Sequence, residues 1–255
     1  MIEPIPNSIS AFIVCCDEEQ KIKRCLESVA WCDEIVVIDS GSTDATIDIC
    51  HEYTTKVIEH PWLGYCGQKQ LGLNNCSCEW VLNLDADEEV SPELRHSIER
   101  VLSSGDQIDG YELLRVVNFL GRWWRSGGWY PEYRLRLVRR TKASWGGTDP
   151  HEHAIVNGPV ARLSGELYHY TYDDFRDQLI TTNKFSSISA TQLYRSGKRF
   201  HVHQLLINPV ARFVKFYFLR KGHREGLAGL VVAVIEAAGV FLKYACLLST
   251  SDAAD

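Results

Sequence analysis

The chain lacks the glycine-rich phosphate motifs of two large nucleotide-binding classes. Neither G-x-x-x-x-G-K-[ST] nor G-x-G-x-x-G occurs in its 255 residues. The absence of the first motif argues against a P-loop ATPase. The absence of the second argues against a dinucleotide-dependent dehydrogenase.

Cysteine pairs with zinc-site spacing are also missing. The nine cysteines include no C-x-x-C pair, so we do not expect them to bind a metal. Residues 1–7 hold one acid, two prolines and no basic residue, which is unlike the start of a secretory signal peptide. We therefore expect reduced thiols and a cytoplasmic location.

Acidic residues are absent from residues 178–224, although that segment holds nine lysines and arginines. The whole chain is acidic, with 27 Lys and Arg against 33 Asp and Glu and a net charge of −6. An acidic chain is a poor candidate for a general nucleic-acid binder. The basic segment is expected either to face anionic phosphates or lipid head groups, or to be a solvated helix face.

Apolar runs and helical patterns alternate over the first 110 residues, as in an α/β fold whose mostly parallel sheet is flanked by helices. After Gly110 the pattern becomes β-rich, and from about Asp173 to Leu248 it is helical, with a new helix expected to start at Asn208-Pro209. We predict strands at 9–16, 34–39, 56–59, 80–85, 111–118, 134–138 and 154–156, and helices at 20–28, 44–53, 67–74 and from Pro92.

The last helix, Leu227–Leu248, is mostly apolar, but Glu236 and Lys243 lie seven residues apart on one face. A spanning helix needs about 20 predominantly apolar residues. A charge at mid-span costs on the order of 2.5–3.5 kcal/mol. The pattern favours an amphipathic helix that packs on the domain or lies in a membrane interface. A single membrane-spanning anchor is the alternative.

Carboxylates follow three of the predicted strands. Asp85 and Asp87 follow one, Asp39 ends another, and the first strand leads into Asp17-Glu18-Glu19. Parallel strands bring their carboxyl ends to one edge of a sheet, where ligands of open α/β sheets bind. Because gathered acids repel, folding alone would not favour them. A sugar nucleotide with Mg²⁺ or Mn²⁺ explains them, and an acidic turn that caps the next helix is the alternative.

Several motifs together point to one family. They are Ile9–Val14 leading to Asp17-Glu18-Glu19, the segment Asp33–Asp44, Asp85-Ala86-Asp87-Glu88, Gly127-Gly128-Trp129-Tyr130-Pro131, Arg134-Leu135-Arg136-Leu137, and His151-Glu152. With them the chain resembles the family 2 inverting glycosyltransferases, which have the GT-A fold, a Rossmann-like nucleotide-diphospho-sugar transferase fold. Within that family it resembles the bacterial lipopolysaccharide inner-core branch, whose members add a β-1,4-glucose to heptose.

The resemblance implies a set of donor-site residues: Glu18 and Asp39 for the nucleoside, Asp85 and Asp87 for the metal and the diphosphate, and Lys69 and Arg136 for the nucleotide sugar. Lys69 follows Gln68 and is expected to contact the diphosphate. Asp17 stands where the family usually has Asn. We expect the exchange to be tolerated, because both residues make Asx-type bonds in turns.

An inverting transfer needs a group that takes the proton of the acceptor hydroxyl as that oxygen attacks the anomeric carbon. The segment Gly146–His153 concentrates two acids and two imidazoles. We predict Glu152 as the catalytic base, His151 as the residue that orients it or reaches the metal, and Asp149 as the reserve base. A hydrogen-bonded turn is the alternative, and His169 is a weaker candidate for a metal or diphosphate contact.

The aromatic residues Trp129 and Tyr130 follow two glycines that allow close approach of a ligand. Sugar rings present C–H faces that pack on aromatic planes, so both residues are candidates for contact with the acceptor or the donor sugar. Core packing explains each of them equally well.

We therefore predict a metal-dependent, inverting hexosyltransferase. Its predicted donor is a UDP-sugar, with UDP-glucose as the leading candidate, and its predicted acceptor is a lipid-linked inner-core heptose. It would work peripherally on the anionic cytoplasmic face of the inner membrane, with no nucleic-acid partner. Residues 1–172 are predicted to be the catalytic domain, with a nucleotide-sugar half (1–110) and an acceptor half (111–172), and 173–255 a basic, helical, membrane-associating region. The alternatives are transfer to polyprenyl phosphate or protein, a sugar-nucleotide nucleotidyltransferase, and a degenerate, non-enzymatic scaffold at the membrane surface.

Overall fold

The computed structural model describes residues 5–147 and 152–252. The strands are β1 (Ile5–Cys15), β2 (Glu34–Asp39), β3 (Val57–Glu59), β4 (Cys78–Asp85), β5 (Glu88–Val90), β6 (Gly110–Phe119), β7 (Arg122–Trp124), β8 (Glu132–Arg139), β9 (Ala143–Gly146), β10 (His153–Val156) and β11 (Val160–His169). The helices are α1 (Ile22–Val29), α2 (Thr46–His51), α3 (Tyr65–Asn75), α4 (Pro92–Leu102), α5 (Phe175–Arg195), α6 (Val202–Val214) and α7 (Gly226–Asp252).

The described chain divides into two compact units. Unit 1 contains residues 5–115, 132–147 and 152–170, and unit 2 contains residues 116–131 and 171–252. The division passes through β6 after Arg115. Unit 2 therefore combines the C-terminal helices with a segment from the middle of the chain.

Unit 1 is built on a mixed sheet with the strand order β3-β2-β1-β4-β8-β6-β11-β5. The strands β3, β2, β1 and β4 run parallel, and β8 continues the sheet antiparallel to β4. In this register Cys15 is paired with Asp39, and Val14 with Asp85. The two carboxylates therefore lie at the same edge of the sheet, on either side of β1. The predicted α/β fold class is confirmed.

Alternation along β1 builds the core on both faces of the sheet. Ile9, Ala11 and Ile13 pack among apolar residues of α1 and α4, whereas Phe12 points to the opposite face and packs near α3. Gly72 of α3 lies directly against that ring, because a Cβ at this position would be 2.4 Å from the nearest Phe12 atom.

Helix α4 begins as the sequence predicts. The Ser91 hydroxyl accepts a hydrogen bond from the Leu94 N–H at 3.2 Å, Pro92 occupies the first turn, and Glu93 follows it. A serine cap satisfies an amide that has no partner within the helix, and proline at the first helical position has no N–H to satisfy. This helix packs on the same face of the sheet as α1.

Unit 2 has an aromatic core of its own. Phe119, Trp124 and Phe216 are buried together with residues of α7, and Trp129 packs against them. Gly127, in the left-handed region at φ 77°, leaves the space that the Phe216 ring occupies, because a Cβ there would be 2.8 Å from it.

Helices α5, α6 and α7 are joined by polar contacts within unit 2. The Ser186 hydroxyl of α5 donates to the Gly239 carbonyl of α7 at 2.9 Å. Arg212 of α6 donates from Nε to Glu236 Oε2 at 3.1 Å and from Nη2 to the same oxygen at 2.5 Å. The segment Gly222–Ser249 is long and apolar enough to cross a membrane by length and composition alone.

Two sequence predictions differ from the structure. Asn208-Pro209 does not start a helix, because Pro209 lies inside α6. An interior proline removes one hydrogen bond at a cost of about 3 kcal/mol, and the contacts of α6 with α7 offset that cost. The short strands β5, β7 and β9 and the longer β11 were not predicted, although β11 pairs with β5 to complete the sheet.

Candidate active site

Asp85 ends β4 at the edge of the sheet, and two cations flank it. Its Oδ1 lies 3.0 Å from Lys69 Nζ, and its Oδ2 accepts a hydrogen bond from Arg136 Nη2 at 2.5 Å. Burial alone would raise the pKa of Asp85, but the charges of Arg136 and Lys69 outweigh that effect and hold the pKa well below its ordinary value. Asp85 is therefore ionised, and its charge is balanced by the protein itself.

Arg136 projects from β8 and donates hydrogen bonds to three side chains on β4 and β5 of the same chain. Besides Asp85, its guanidinium donates to Asn83 Oδ1 at 2.6 Å and to Glu88 Oε1 at 2.7 Å. Glu88 is almost fully buried, and its other oxygen accepts from the Asp85 backbone N–H at 3.0 Å. Arg115 contacts Glu88 as well, at 3.3 Å. This network fixes the turn that carries the two aspartates.

Asp87 follows on that turn and faces β11. Its Oδ2 lies 3.2 Å from His169 Nε2, and its carbonyl accepts from the Tyr170 N–H at 2.9 Å. Burial alone would raise the pKa of Asp87, but the neighbouring His169 outweighs it and lowers the pKa below its ordinary value. The pairing of β11 with β5 brings His169 opposite Glu88 and so positions its ring beside Asp87.

Lys69 connects Asp85 with Glu152. Its Nζ donates to Glu152 Oε1 at 2.9 Å, so one buried ammonium contacts two carboxylates from distant parts of the chain. The same Nζ lies 5.1 Å from the ring centre of Trp145, within cation–π range. The structure thus brings together four predicted residues: Lys69, Asp85, Arg136 and Glu152.

The loops after β1 and β2 are hydrogen-bonded to each other at the same edge of the sheet. Asp17 adopts the left-handed conformation at φ 54°, which Asp and Asn tolerate best among non-glycine residues. Its Oδ1 accepts from the Thr43 N–H at 2.7 Å, and its own N–H donates to Ser42 Oγ at 2.9 Å. The Glu18 N–H donates to Thr46 Oγ1 at 2.8 Å, so this turn is held from two sides.

Asp39 is fully buried at the end of β2. One of its oxygens accepts from the Gly41 and Ser42 N–H groups at 2.7 and 2.9 Å, and the other accepts from the Ser42 hydroxyl. In this structure the carboxylate thus shapes its own loop. Gln68 packs beside that loop and donates to Ser40 Oγ at 2.8 Å, while its buried Oε1 has no hydrogen-bond partner among the described residues.

The remaining predicted residues are placed differently. Asp149 and His151 lie outside the described residues. Trp129 belongs to the aromatic core of unit 2, where its Nε1 donates to Glu236 Oε1 at 3.1 Å and its ring lies 5.1 Å from that of Trp124. Tyr130, the next residue, is half-buried.

The acids at this edge do not need a bound metal ion to relieve their mutual repulsion, contrary to the argument from sequence. Lys69, Arg136 and His169 supply the opposing charge or hydrogen bond. Over residues 5–147 and 152–252, no group of three or more His, Cys, Asp and Glu side chains is arranged to hold a metal ion. The Asp87 carboxylate nonetheless offers the oxygen donors that Mg²⁺ and Mn²⁺ prefer, provided that a ligand supplies further oxygens.

Two residues of the network were missed at the level of sequence. Glu88 directly follows the Asp-x-Asp motif, and Arg115 lies on β6 next to β8. A signal was present, because Arg134 and Arg136 alternate with leucines along a strand and an arginine on a buried face needs carboxylate partners. The partners themselves are 48 and 51 residues away in sequence, too far to be inferred from spacing.

The mixed sheet with its flanking helices has the GT-A fold. The model of the glycosyl transferase family 2 matches residues 10–160, and the chain belongs to that family. It is 34% identical over 252 residues to the lipopolysaccharide core biosynthesis glycosyltransferase LpsC of Rhizobium meliloti, a match that covers 96% of this chain and 93% of LpsC.

A second relative agrees with this assignment, and a solved structure shares the fold. An uncharacterized glycosyltransferase of Rickettsia typhi is 34% identical over 258 residues, covering 96% of this chain and 88% of that protein. The crystal structure of glucosyl-3-phosphoglycerate synthase from Mycobacterium tuberculosis with phosphoglyceric acid has a TM-score of 0.50 at 16% identity, covering 75% of this chain and 80% of that one. At that identity the likeness supports the GT-A fold alone.

Proposed function

We propose that the protein moves glucose from UDP-glucose onto a heptose hydroxyl of a lipid-linked lipopolysaccharide core, with inversion at the anomeric carbon and with a divalent cation. Membership of family 2 and the similarity to LpsC, a lipopolysaccharide core enzyme by name, support the class of reaction and acceptor. The observation that carries the proposal is the Lys69 ammonium, 3.0 Å from Asp85 and 2.9 Å from Glu152. It joins the proposed donor site to the proposed base.

The donor is proposed to bind along the edge formed by β1, β2 and β4. Glu18 and the loop shaped by Asp39 would hold the nucleoside, while Lys69 and Arg136 would face the diphosphate. Both cations are buried beside Asp85. Charge-assisted hydrogen bonds of this kind are shorter and about twice as strong as neutral ones.

A divalent cation would be held by Asp87 and Asp85, with His169 beside them. Magnesium sites commonly use one or two carboxylates plus the phosphates of a substrate. When bound, such a cation neutralises charge on the diphosphate leaving group.

Glu152 is proposed as the general base. Its carboxylate takes the proton of the acceptor hydroxyl as that oxygen bonds to the anomeric carbon, from the face opposite the diphosphate. The bond from the anomeric carbon to the β-phosphate oxygen breaks, and its electron pair leaves with UDP. Lys69, which now contacts Glu152, would fix the orientation of the base and meet negative charge on the leaving group.

The test is a transfer assay with UDP-, GDP- and TDP-sugars, Mg²⁺ or Mn²⁺, and a purified lipid-linked core acceptor, with the product linkage read by NMR. Glu152→Gln is expected to keep donor binding and to lose about 10²- to 10⁴-fold in transfer, because the amide cannot accept the proton. Glu52→Gln, at an exposed carboxylate that directly follows α2, is the matched control. If Glu152→Gln transfers normally and Asp149→Asn does not, the base is Asp149.

Assays with different acceptors distinguish the proposed function from its alternatives. Transfer to polyprenyl phosphate or to protein in place of the core acceptor would move the proposal to that acceptor class. Formation of a nucleotide sugar from a sugar phosphate and a nucleoside triphosphate would contradict it, as would donor binding without any turnover. The proposed place of work is the cytoplasmic face of the inner membrane, which the basic segment 178–224 and the similarity to LpsC support.

A further inference from the structure

The solvent-facing side of α6 is apolar. Val202, Leu206, Val210 and Val214 recur every four residues, which places them on one side of the helix, and Ile207 lies beside them. Their exposed fractions range from 40% to 65%. Isolated exposed apolar residues are normal on protein surfaces, but a continuous row of five on one helix is not.

Three of the four polar residues of α6 lie on its inner side, and the fourth, His203, is exposed near the start of the helix. Arg212 is bonded to Glu236 of α7, and Gln204 and Asn208 are half-buried. A helix on a water-exposed surface has the opposite arrangement, with apolar residues inward and polar residues outward. Apart from His203, the outer face of α6 is therefore apolar, and it suits an apolar environment.

The apolar row continues beyond the end of α6. The π-helical turn Lys215–Leu219 follows without a break, and Phe218 and Leu219 on it are 56% and 73% exposed. We call these residues together the α6 apolar face: Val202, Leu206, Ile207, Val210, Val214, Phe218 and Leu219. At 1.5 Å per residue, α6 and this turn are about 27 Å long.

Exposed cations stand at both ends of the α6 apolar face. Lys198 and Arg199 precede α6, and Arg220, Lys221 and Arg224 follow Leu219, the last residue of the face. Lys215, also exposed, lies between Val214 and Phe218. No acidic residue occurs anywhere between positions 178 and 224. An apolar strip with cations at its ends matches an anionic lipid surface, in which phosphates lie above acyl chains.

We propose that α6 lies in the plane of an anionic bilayer, with the α6 apolar face among the upper acyl chains and the flanking cations on lipid phosphates. This deepens the proposed function, on whose membrane-bound acceptor it rests, by naming the element that inserts. The arrangement argues against a second copy on this face, since a symmetric pair would bring the same cations together. It also argues against a spanning α7, because Glu236, near the middle of Gly222–Ser249, is bonded to Arg212 of α6.

Vesicle flotation of the full-length purified protein tests the proposal. Wild type is expected to float with phosphatidylglycerol–phosphatidylcholine vesicles and much less with phosphatidylcholine alone. Val210→Glu and the pair Leu206→Glu/Val210→Glu are expected to weaken flotation, the pair by at least about tenfold, because each places a charge among acyl chains. Val160→Glu, at an exposed valine on β11, is the matched control and should float like wild type.

Circular dichroism melts identify any variant that fails to fold, and the activity assay is scored separately. Normal vesicle binding by the folded double variant would overturn the inference. So would a wild-type dimer in lipid-free buffer that Val210→Glu converts to monomers, since the face would then bind a second copy. Retention of wild type in membranes after alkaline carbonate extraction would overturn it in favour of a spanning α7. Loss of transfer with intact flotation would refute only the proposed function.

Discussion

Two Lys–Glu pairs of nearly equal length are expected to contribute very different amounts to stability. Lys69 Nζ lies 2.9 Å from Glu152 Oε1, and Lys56 Nζ lies 2.7 Å from Glu34 Oε1. The Lys69 side chain is 8% exposed, whereas that of Lys56 is 37% exposed. If burial rather than distance sets the energy of an ion pair, Lys69→Met and Lys56→Met will have clearly different effects.

The expected magnitudes follow from what each change leaves behind. Without Lys69, Asp85 keeps Arg136, but no other described residue donates to the Glu152 carboxylate. Removing one partner of a buried pair costs about 3–5 kcal/mol, and the retained Arg136 places this case at the lower end, about 3 kcal/mol. Without Lys56, Glu34 still accepts from Ser10 and Ser77, so the cost should stay below about 1 kcal/mol.

Calorimetric melts are the assay. For a domain of this size 1 kcal/mol shifts Tm by about 2–4 °C, so Lys69→Met should lower the transition of unit 1 by about 6–12 °C. Glu152→Gln in the same chain should restore part of that loss, because the amide is not a stranded charge, with a coupling energy of about 1–3 kcal/mol. Equal costs for Lys69→Met and Lys56→Met, or additivity within about 0.5 kcal/mol in the double variant, would refute the reasoning.

Two further predictions concern ligands. UDP should raise Tm only when a divalent cation is present, by the equivalent of about 2.7 kcal/mol at 100 times its Kd. The Asp87→Asn substitution should abolish most of this shift, whereas Asp106→Asn, at an exposed carboxylate, should not. An unchanged shift in Asp87→Asn would show that the Asp87 carboxylate is structural. Binding to anionic vesicles should weaken at high salt and after charge reversal at Arg220, Lys221 and Arg224, which a binding curve against salt measures; binding that is insensitive to both would contradict an electrostatic contribution.

The sequence predicts the central part of unit 1 well because each signal there is local. The buried run Glu34–Asp39 coincides with β2, and Ser91-Pro92 marks the start of α4. Strands that lack a strong apolar run escape detection: β5 has three residues, two of them glutamates. Pro209 misleads for a related reason, since the preference of proline for helix starts is local and the packing of α6 on α7 is not.

In the candidate site, too, features with a local signal can be predicted and contacts between distant residues cannot. The acidic strand ends Asp39 and Asp85 can be predicted to share a sheet edge, because parallel strands bring their carboxyl ends to the same edge. The Lys69–Glu152 contact joins residues 83 positions apart, and no spacing rule reaches that far. Trp129 shows the limit for aromatic residues, since its contact with Glu236 depends on how distant segments of unit 2 pack.

The buried cations beside Asp85 have a consequence for the order in which the protein acquires its ligands. Since Lys69 and Arg136 already balance this carboxylate, the chain can fold with an empty site and gains little by capturing a free divalent ion. The diphosphate would supply the oxygens that complete the coordination, so cation and donor would enter together. Loading would then follow the cellular supply of nucleotide sugar rather than that of magnesium or manganese, and chelation without donor should leave the melting curve unchanged.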